Sequence, residues 1–275
     1  MSKIWFITGA SKGFGREWAI AALERGDQVA ATARDTSSLD DLVVRYGALV
    51  FPQRLDVTDR AAAFRTVRAA HDHFGRLDVI VNNAGYGQFG MIEEISESEA
   101  RAQLDTNLFG ALWVTQAALP LLRAQRSGHI VQVSSISGVC AFPNVGMYAA
   151  SKWALEAFSQ SLAQEVVQFG IKVTLIEPTG YSTDWSGPSA GTATPNPAYA
   201  DYRERAQEAR RERNAVQGDP VATRDAVLQI VDATRPPLRV FLGDGPLAVA
   251  TAEYESRLAT WRAWEPLSIA AHGKN

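Results

Sequence analysis

The chain has 275 residues, of which 46% are hydrophobic and 21% charged, and its formal net charge is −3 at pH 7. These values are ordinary for a globular protein and give no basic face or stripe of the kind that nucleic-acid binding requires. The single cysteine, Cys140, excludes an intramolecular disulfide, and the apolar run at Ile4–Ile7 is too short for a signal peptide or a membrane span. We therefore expect a cytoplasmic protein with neither a membrane nor a nucleic-acid partner.

Short apolar runs alternate along the chain with longer stretches of helical spacing. Strands are predicted at residues 4–7, 28–32, 48–51, 77–81, 129–133, 171–176 and 238–242. Helices are predicted at residues 17–25, 61–74, 97–122 (with a bend near Pro120) and 149–169. This alternation is typical of βαβ units, and the continuous apolar strands indicate a parallel sheet covered by helices on both faces. We expect a single α/β domain, residues 1–275, with a doubly wound parallel sheet.

The segment from 182 to 215 interrupts this alternation of strands and helices. Residues 182–197 are rich in Ser, Thr, Gly and Pro and predict a loop, and residues 199–213 predict a heavily charged helix. A long insertion in a compact domain is often functional, so we expect a substrate lid at about 182–215, with a disordered surface excursion as the alternative. After about residue 218 we expect a C-terminal extension that contains a final strand and helix.

A glycine-rich turn follows the first predicted strand and precedes a helix. Its residues are Thr8-Gly9-Ala10-Ser11-Lys12-Gly13-Phe14-Gly15, with the spacing Gly-x-x-x-Gly-x-Gly. Glycines let the backbone approach a pyrophosphate closely, and the helix N-terminus offers free N–H groups to the phosphates. A purely structural turn is the alternative, but the position in the first βα connection favours a dinucleotide site.

The end of the second predicted strand distinguishes NAD from NADP. An acidic residue there binds the ribose 2′-hydroxyl of NAD, whereas an arginine pairs with the 2′-phosphate of NADP. If the strand ends at Thr32, the acidic position is Ala33 and Arg34 follows it, with Lys12 in the glycine turn as a second cation. We therefore expect NADP(H). A shift of the strand end by one or two residues would instead make Asp35 the ribose ligand of NAD.

Tyr148 and Lys152 lie four residues apart at the start of a predicted helix and therefore share a face. A nearby ammonium group stabilises a phenolate and lowers its pKa from about 10, which makes Tyr148 a candidate proton donor and acceptor. Ser134 and Ser135 follow the strand at 129–133, at the edge where open α/β sheets bind ligands, and a hydroxyl there can hold a substrate oxygen. Ordinary turn residues are the alternative.

Two asparagine-containing positions belong to the same set of candidates. Asn82-Asn83-Ala84-Gly85 follow the fourth predicted strand and reach the ligand edge of the sheet. Asn107 lies in a helical stretch, where asparagine is not favoured, and a tolerated surface position is the alternative to a functional role. The four histidines lack a matching set of metal ligands, so no metal ion is expected.

Together these motifs resemble the short-chain dehydrogenase/reductase family, in its short single-domain branch. The resemblance rests on Thr8-Gly9-x-x-x-Gly13-x-Gly15, Asp56-Val57, Asn82-Asn83-Ala84-Gly85, Asn107, Ser135 and Tyr148-x-x-x-Lys152, in the family's order. It implies a Rossmann-like fold and hydride transfer between a nicotinamide cofactor and an alcohol, ketone or aldehyde. A dehydratase or epimerase on this scaffold would have a different glycine spacing, and a cofactor-sensing protein would commonly have lost the tyrosine or the lysine.

The resemblance also implies a role for each matching residue. Tyr148 would be the general acid in reduction and the base in oxidation, Lys152 would lower its pKa and bind the nicotinamide ribose, and Ser135 would hydrogen-bond the substrate oxygen. Asn107 would help to order a water chain that relays protons. The implied cofactor-binding residues are Gly9, Ser11, Lys12, Gly13, Phe14, Gly15, Arg34, Asp56, Val57, Asn83, Ala84, Gly85, Tyr148, Lys152, Pro178, Gly180 and Thr183.

Three further expectations concern the C-terminal half. The segment Pro178-Thr179-Gly180 departs from the family's Pro-Gly, which leaves the backbone conformation at Thr179 open. Apolar residues near the predicted edge suggest a pocket for a hydrophobic or aromatic ketone, with core packing as the alternative; they are Phe142, Val145, Met147, Tyr181, Trp185 and Tyr199. The resemblance implies a homodimer or homotetramer formed through the helices near residues 100–122 and 149–169.

Overall fold

The secondary structure alternates strands and helices, as the computed structural model shows for residues 2–183, 185, 189–213 and 216–273. The strands among these residues are β1 Ile4–Ile7, β2 Gln28–Ala33, β3 Val50–Arg54, β4 Val79–Asn82, β5 Gln88–Phe89, β6 Gly128–Val133, β7 Ile171–Pro178, β8 Gly191–Thr192 and β9 Arg239–Leu242. The α-helices are α1 Gly13–Glu24, α2 Asp40–Tyr46, α3 Arg60–Phe74, α4 Glu97–Leu104, α5 Gly110–Gln125, α6 Gly146–Val166, α7 Ala200–Arg213, α8 Thr223–Asp232 and α9 Pro246–Ala271.

Seven of these strands form one parallel sheet in the order β3-β2-β1-β4-β6-β7-β9. The strand order reverses between β1 and β4, which opens a crevice at the carboxyl ends of these two strands. The short strands β5 and β8 pair separately with each other. The predicted doubly wound, Rossmann-like parallel sheet is confirmed.

Alternate residues of β1 face opposite sides of the sheet, and both sides are covered by helices. Trp5 and Ile7 pack with side chains of α1, α2 and α8, whereas Ile4 and Phe6 pack with side chains of α3, α5 and α6. Burial of a large apolar side chain of this kind stabilises the fold by about 1.5–3 kcal/mol. The continuous apolar run of β1 is therefore explained by two cores, one on each face.

Two strands extend two or more residues beyond their predicted ends. The predicted strand at 48–51 lies at Val50–Arg54, where Gln53 and Arg54 pair with Thr32 and Ala33. Apolar patterning missed these polar residues because β3 is an edge strand, whose side chains need not be buried on both faces. Similarly, β7 continues past the predicted end at Ile176 to Pro178 because β9 pairs with it to that point.

The predicted helix at 97–122 is interrupted at a different place from the one expected. A π-helical segment at Asp105–Phe109 separates α4 from α5, whereas Pro120 lies within α5 and does not end it. Such π segments often occur at functional sites. Asn107 lies in this segment and is buried. The alternative of a tolerated surface asparagine is therefore wrong.

Described parts of the predicted lid segment and of the C-terminal extension contact the rest of the fold. β8 joins the segment to β5, and α7 follows it, while positions 184, 186–188 and 214–215 of the predicted lid lie outside the described residues. In the extension, α8 packs on α1, and the buried indole N–H of Trp18 donates to the Thr223 hydroxyl at 2.8 Å. Within the described ranges no helix is long and apolar enough to cross a membrane.

Candidate active site

A cavity of about 840 Å³ lies at the carboxyl edge of the main sheet, where the strand order reverses. Nearly all of the sequence-predicted site residues line it, namely Gly9, Ser11, Lys12, Gly13, Phe14, Arg34, Asp56, Val57, Asn83, Ala84, Gly85, Ser135, Tyr148, Lys152, Pro178, Gly180 and Thr183. The two exceptions are Gly15 and Asn107. The fold thus brings together residues that are separated by more than 170 positions in the chain.

The glycine turn between β1 and α1 forms one wall of the cavity. Gly9 and Gly13 have φ angles of +65° and +57°, a region that glycine adopts without steric cost. Gly15 does not line the cavity: a Cβ atom there would lie 2.4 Å from the Asn83 amide nitrogen and 2.5 Å from the Gly9 carbonyl oxygen. Gly15 therefore serves close packing beneath the turn.

Thr8, a residue that the sequence analysis assigned no role, ties this turn to the loop after β4. Its hydroxyl accepts hydrogen bonds from the backbone N–H groups of Asn83 and Ala84 at 2.9 and 3.0 Å and donates to the Val81 carbonyl. The Asn83 amide in turn donates to the carbonyl oxygens of Thr8 and Gly9. These bonds hold the glycine turn rigid beside the cavity.

The N-terminus of α1, Lys12 and Arg34 lie together at this end of the cavity. No side chain caps α1, its first turn holds no acidic residue, and Lys12 stands at the N-cap position. Free N–H groups at a helix N-terminus, together with the helix dipole, favour phosphate groups. Arg34 lines the cavity directly after β2, which ends at Ala33.

The Asp35 side chain makes a local hydrogen bond and does not line the cavity. Its carboxylate accepts a hydrogen bond from the backbone N–H of Ser37 at 3.0 Å and caps the short helical turn Thr36–Leu39. It is also absent from the cavity lining, where Ala33 and Arg34 lie. Arg34, and not Asp35, is therefore the charged residue after β2 that lines the cavity.

The candidate proton-transfer residues meet at the other end of the cavity. Tyr148 lies in the first turn of α6 and Lys152 one turn further on, and the lysine Nζ is 5.8 Å from the centre of the Tyr148 ring. Lys152 donates to the carbonyl oxygen of Val133 at 2.7 Å, at the end of β6. Ser135 follows this strand, and its hydroxyl accepts a hydrogen bond from the backbone N–H of Ser137.

Burial dominates the acidity of both titrating groups. Desolvation raises the pKa of Tyr148 to about 12, and a hydrogen bond with the Ser135 side chain only partly opposes it. Desolvation lowers the pKa of Lys152 to about 8, although the charge of Glu156 opposes the shift. The pKa of Tyr148 is therefore raised rather than lowered in this structure, because burial disfavours the charged phenolate.

Asn107 lies behind the cavity wall and connects it to α6. Its amide oxygen accepts from the backbone N–H of Tyr86 at 3.1 Å, and its amide nitrogen donates to the carbonyl oxygen of Tyr86 and to the hydroxyl of Ser151. A Cβ atom at Gly85 would lie 3.1 Å from the Asn107 amide oxygen and 3.6 Å from the Lys152 ammonium. Asn107 is thus adjacent to the catalytic candidates without facing the cavity.

The unusual Thr179 continues the sheet beyond β7. Its backbone N–H donates to the Leu242 carbonyl at 3.0 Å, and its hydroxyl fills the space over Gly243, where a Cβ atom would lie only 2.1 Å from it. Thr183, further along the same loop, adjoins Gly13 of the glycine turn. Gly243, directly after β9, leaves room for the Thr179 side chain, and Thr183 lines the cavity.

Apolar side chains enclose the Tyr148 end of the cavity. Trp185 packs against the Tyr148 ring at 4.7 Å and against Phe89 at 5.5 Å. Of the six predicted apolar candidates, four line the cavity, namely Phe142, Val145, Tyr181 and Trp185, whereas Met147 and Tyr199 do not. The Tyr199 hydroxyl instead donates to the Glu93 carboxylate at 2.6 Å.

Ionic and hydrogen-bonded contacts anchor the inserted segment over this apolar wall. Arg203 of α7 pairs with Glu94, whose side chain is almost fully buried and which also accepts from the backbone N–H of Asn196 at 2.7 Å. The Arg203 hydrogen bonds are the main reason that the pKa of Glu94 falls to about 2. Arg210 lies over the Phe89 ring at 4.5 Å and over Trp185 at 5.6 Å.

Several cavity residues carried no recognisable sequence signal. Arg210 is one of many charged residues in its helix, and Pro246 and Val249 come from α9, far along the chain. Their place in the cavity depends on the path of the chain between distant elements. Among the described residues, no group of three or more His, Cys, Asp or Glu side chains is arranged to hold a metal ion.

Known proteins with similar sequences and structures agree on one family. The family model described as short chain dehydrogenase matches residues 3–192. Oxidoreductase BOA17 from Botryotinia fuckeliana (strain B05.10) is 42% identical over 273 residues, which cover 98% of this chain and 100% of that protein. The crystal structure of a short-chain dehydrogenase from Streptomyces avermitilis matches with a TM-score of 0.91 and 38% identity, and the match covers 98% of this chain and 99% of that one.

Two more distant structures contain a nicotinamide cofactor. A short chain dehydrogenase from Burkholderia cenocepacia J2315 in complex with NADP has a TM-score of 0.75 at 25% identity, covering 95% of this chain and 97% of that one. A short chain dehydrogenase/reductase from Burkholderia phymatum in complex with NAD has a TM-score of 0.82 at 23% identity, covering 94% and 95%, which shows a shared fold. The two similar folds thus hold different forms of the cofactor.

Proposed function

The chain belongs to the short-chain dehydrogenase family of oxidoreductases, and from this membership we propose that it interconverts an alcohol and a ketone or aldehyde by NADP(H)-dependent hydride transfer. The observation that carries the proposal is a single cavity with anion-binding groups at one end and Ser135, Tyr148 and Lys152 at the other. Solved relatives with NAD or NADP support a nicotinamide cofactor. The choice of NADP(H) rests on Arg34 and Lys12.

The chain's own residues suit both cofactor binding and proton transfer. The uncapped N-terminus of α1, with Lys12 and Arg34, would hold the phosphates, and when bound NADPH supplies the hydride. Tyr148 keeps its proton throughout the neutral range because burial raises its pKa to about 12. A protonated phenol beside the Ser135 hydroxyl is arranged to hold a carbonyl oxygen and to donate a proton to it as negative charge develops there.

The direct test is turnover of carbonyl compounds by the purified protein. We expect NADPH to be oxidised in the presence of at least one hydrophobic or aromatic ketone or aldehyde, and the alcohol product to appear in equal amount. A protein that only senses the cofactor would bind NADPH and oxidise none of the panel. NADPH binding without turnover over a broad set of aldehydes and ketones would therefore contradict the enzymatic proposal.

We also propose that the segment 182–215 acts as a substrate lid. Strand pairing of β8 with β5, the Glu94–Arg203 ion pair and the packing of Trp185 on Tyr148 all support this role. The lid brings an indole to the face of the proposed proton donor. This position favours substrates with an apolar or aromatic group next to the carbonyl, because such a group gains aromatic contact and excludes water.

Gly87→Ala tests whether Trp185 has this role. A Cβ atom at Gly87 would lie 2.7 and 2.8 Å from two indole carbons of Trp185, so alanine must displace the ring. Since aromatic contacts contribute about 0.5–1.5 kcal/mol, we expect KM for a hydrophobic carbonyl to rise about twofold to tenfold, with NADPH affinity unchanged. The control is a double-mutant cycle with Trp185→Ala: once the indole is absent, adding Gly87→Ala should change KM no further. Additive effects would show that Gly87 acts elsewhere.

The pH dependence of reduction should follow Lys152. Its pKa of about 8 means that the ammonium is lost as the pH rises through 8, whereas Tyr148 remains protonated to about pH 12. We expect kcat/KM for reduction to be level below about pH 7 and to fall above pH 8, because a neutral amine no longer stabilises the phenolate that forms as Tyr148 gives up its proton. Profiles from pH 6 to 10 measure this, with Lys152→Arg as the control, because its residual activity should lack this inflection. A wild-type profile that stays flat to pH 10 would contradict the assignment.

A further inference from the structure

A group of buried acidic side chains lies next to Lys152, outside the cavity. Glu156 follows Lys152 by one turn of α6 and therefore shares its helix face, and these two residues are 6% and 5% exposed. Glu177, near the end of β7, is 1% exposed. Neither glutamate lines the cavity. Because glutamate is almost never buried this deeply unless it is paired, both carboxyl groups require partners.

Arg239, the first residue of β9, contributes a cation to this group. Its Nε donates to Glu156 Oε2 at 2.8 Å and lies 3.6 Å from Glu177 Oε1. Its Nη2 donates to the side-chain oxygen of Gln160 at 2.8 Å, and part of the arginine side chain reaches solvent. One arginine thus faces two buried carboxyl groups, and its charge balances only one of them.

A shared proton accounts for the second carboxyl group. Glu156 and Glu177 are hydrogen-bonded to each other, which requires a proton on one of them because an ionised carboxylate has no donor. The Oε1 atom of each is buried, and no other described residue donates a hydrogen bond to it. Burial and the charge of Glu156 raise the pKa of Glu177 to about 8. At neutral pH, Glu177 therefore carries the proton and Glu156 is the charged member of the pair.

The Glu156 side chain packs beneath the turn that follows Ser135. A Cβ atom at Gly138, in this turn, would lie 3.1 Å from Glu156 Cγ and 3.3 Å from the Lys152 carbonyl oxygen. A carboxylate one helical turn away favours the ammonium form of a buried lysine, which desolvation would otherwise disfavour. The charge of Glu156 acts on Lys152 in this direction. The charged glutamate is thus fixed next to the candidate active site without entering the cavity.

The other titratable groups around this cluster do not take over the role of Glu156. They are Tyr148 of α6, Tyr86 of the loop after β4, Asp105 of the π-helical segment, Cys140 of the turn after β6, and Glu253 and Arg257 of α9. Burial raises the pKa of both tyrosines and of the cysteine, so these groups are neutral. Glu253 and Arg257 pair with each other at 2.7 Å, and Asp105 is exposed to water.

We propose that Glu156 is a positioning residue that keeps Lys152 in the ammonium form. Arg239 and the protonated Glu177 hold its carboxylate in place through the hydrogen bonds described above. The inference rests on the proposed function, in which the ammonium group binds the nicotinamide ribose and stabilises the phenolate that forms on Tyr148. Glu156 touches neither cofactor nor substrate and acts only through the charge that it maintains on the lysine.

An NMR titration of Lys152 tests the proposal without any substrate. In the full-length protein labelled with [ε-¹³C]lysine, the Lys152 signal is the one lost in Lys152→Arg, and we expect it to titrate with a pKa of about 8. Glu156→Gln should lower this pKa by about one unit, the effect of removing one nearby opposite charge. Glu177→Gln is the matched control: it removes a buried acid of the same pair but no charge at neutral pH, so it should shift the Lys152 pKa less than half as much. An unchanged pKa in Glu156→Gln, or equal shifts in both variants, would overturn the proposal.

The shared proton is tested on the wild type, so this measurement does not depend on the folding of Glu156→Gln. In protein labelled with [δ-¹³C]glutamate, one carboxyl group should remain protonated at pH 7, and its signal should be absent from Glu177→Gln. Ionisation of every glutamate by pH 7 would overturn the arrangement. In pH profiles of carbonyl reduction, the alkaline fall of kcat/KM in Glu156→Gln should lie about one unit below that of the wild type. A wild type without carbonyl turnover would contradict the proposed function and leave both NMR results unaffected.

Discussion

Replacing Tyr148 with phenylalanine is expected to lower kcat for carbonyl reduction by about 10²- to 10⁴-fold, the range attributed to one positioned proton donor. The change removes only the hydroxyl, since the ring still packs against Trp185 and Val145. NADPH affinity should stay within about twofold of the wild-type value, because the anion-binding groups lie at the other end of the cavity. Steady-state kinetics and a fluorescence titration with NADPH measure the two quantities.

Tyr181→Phe is the matched control for this experiment. Tyr181 also lines the cavity, but it packs edge-on against Phe14 and lies outside the group formed by Ser135, Tyr148 and Lys152. The same loss of a hydroxyl there should leave kcat within about threefold of the wild type, because no proton transfer depends on it. If Tyr148→Phe retained most of the wild-type kcat, Tyr148 would not be the proton donor, whatever the result for Tyr181.

Arg34→Ala is expected to have the largest effect on cofactor choice. A guanidinium paired with a phosphate contributes about 1.5–3 kcal/mol, so the dissociation constant of NADPH should rise roughly tenfold to a hundredfold. NADH lacks the 2′-phosphate, and its dissociation constant should change less than about threefold. Titrations of both cofactors against the wild type and the variant provide the comparison. Equal losses for NADPH and NADH would contradict a role in recognition of the 2′-phosphate.

Asp35→Asn separates the two hypotheses about the end of β2. If Asp35 were the ribose ligand, this variant would weaken NADH binding and the wild type would prefer NADH. We expect neither, because the Asp35 carboxylate accepts from the Ser37 backbone N–H and does not line the cavity. The variant should therefore leave the affinities for both cofactors within about twofold of the wild type. The helical turn after β2 should keep its cap, because the amide oxygen of asparagine can still accept from the Ser37 backbone N–H.

Local sequence patterns were sufficient for much of the candidate site. Helical periodicity alone places Tyr148 and Lys152 one turn apart, and the glycine spacing after an apolar strand predicts a turn that the positive φ angles of Gly9 and Gly13 confirm. The alternation of strands and helices predicts a parallel sheet, and a parallel sheet brings the loops after its strands to one edge. These features depend on backbone geometry over a few residues, which is why they can be predicted without knowing the packing.

Contacts between distant segments could be identified only in the folded structure. The π-helical break lies at Asp105–Phe109 and not at Pro120, and Asn107 within it is hydrogen-bonded to Tyr86 and Ser151, which are distant in the chain. The Glu94–Arg203 ion pair joins residues 109 positions apart. No spacing rule along the chain links such partners, because their distance depends on how the intervening elements pack.

The acidity of Tyr148, the proposed proton donor, shows this division most clearly. The chain order alone determines that a lysine follows Tyr148 by one helical turn, and this arrangement suggested a lowered tyrosine pKa. In the folded protein both groups are removed from water, and desolvation raises the pKa of Tyr148 while it lowers that of Lys152. Burial is a property of the whole fold, since it depends on Trp185, Val145 and the other segments that close over the site. The sequence therefore specifies the identity and spacing of these two groups, whereas the tertiary packing that excludes water determines their pKa values.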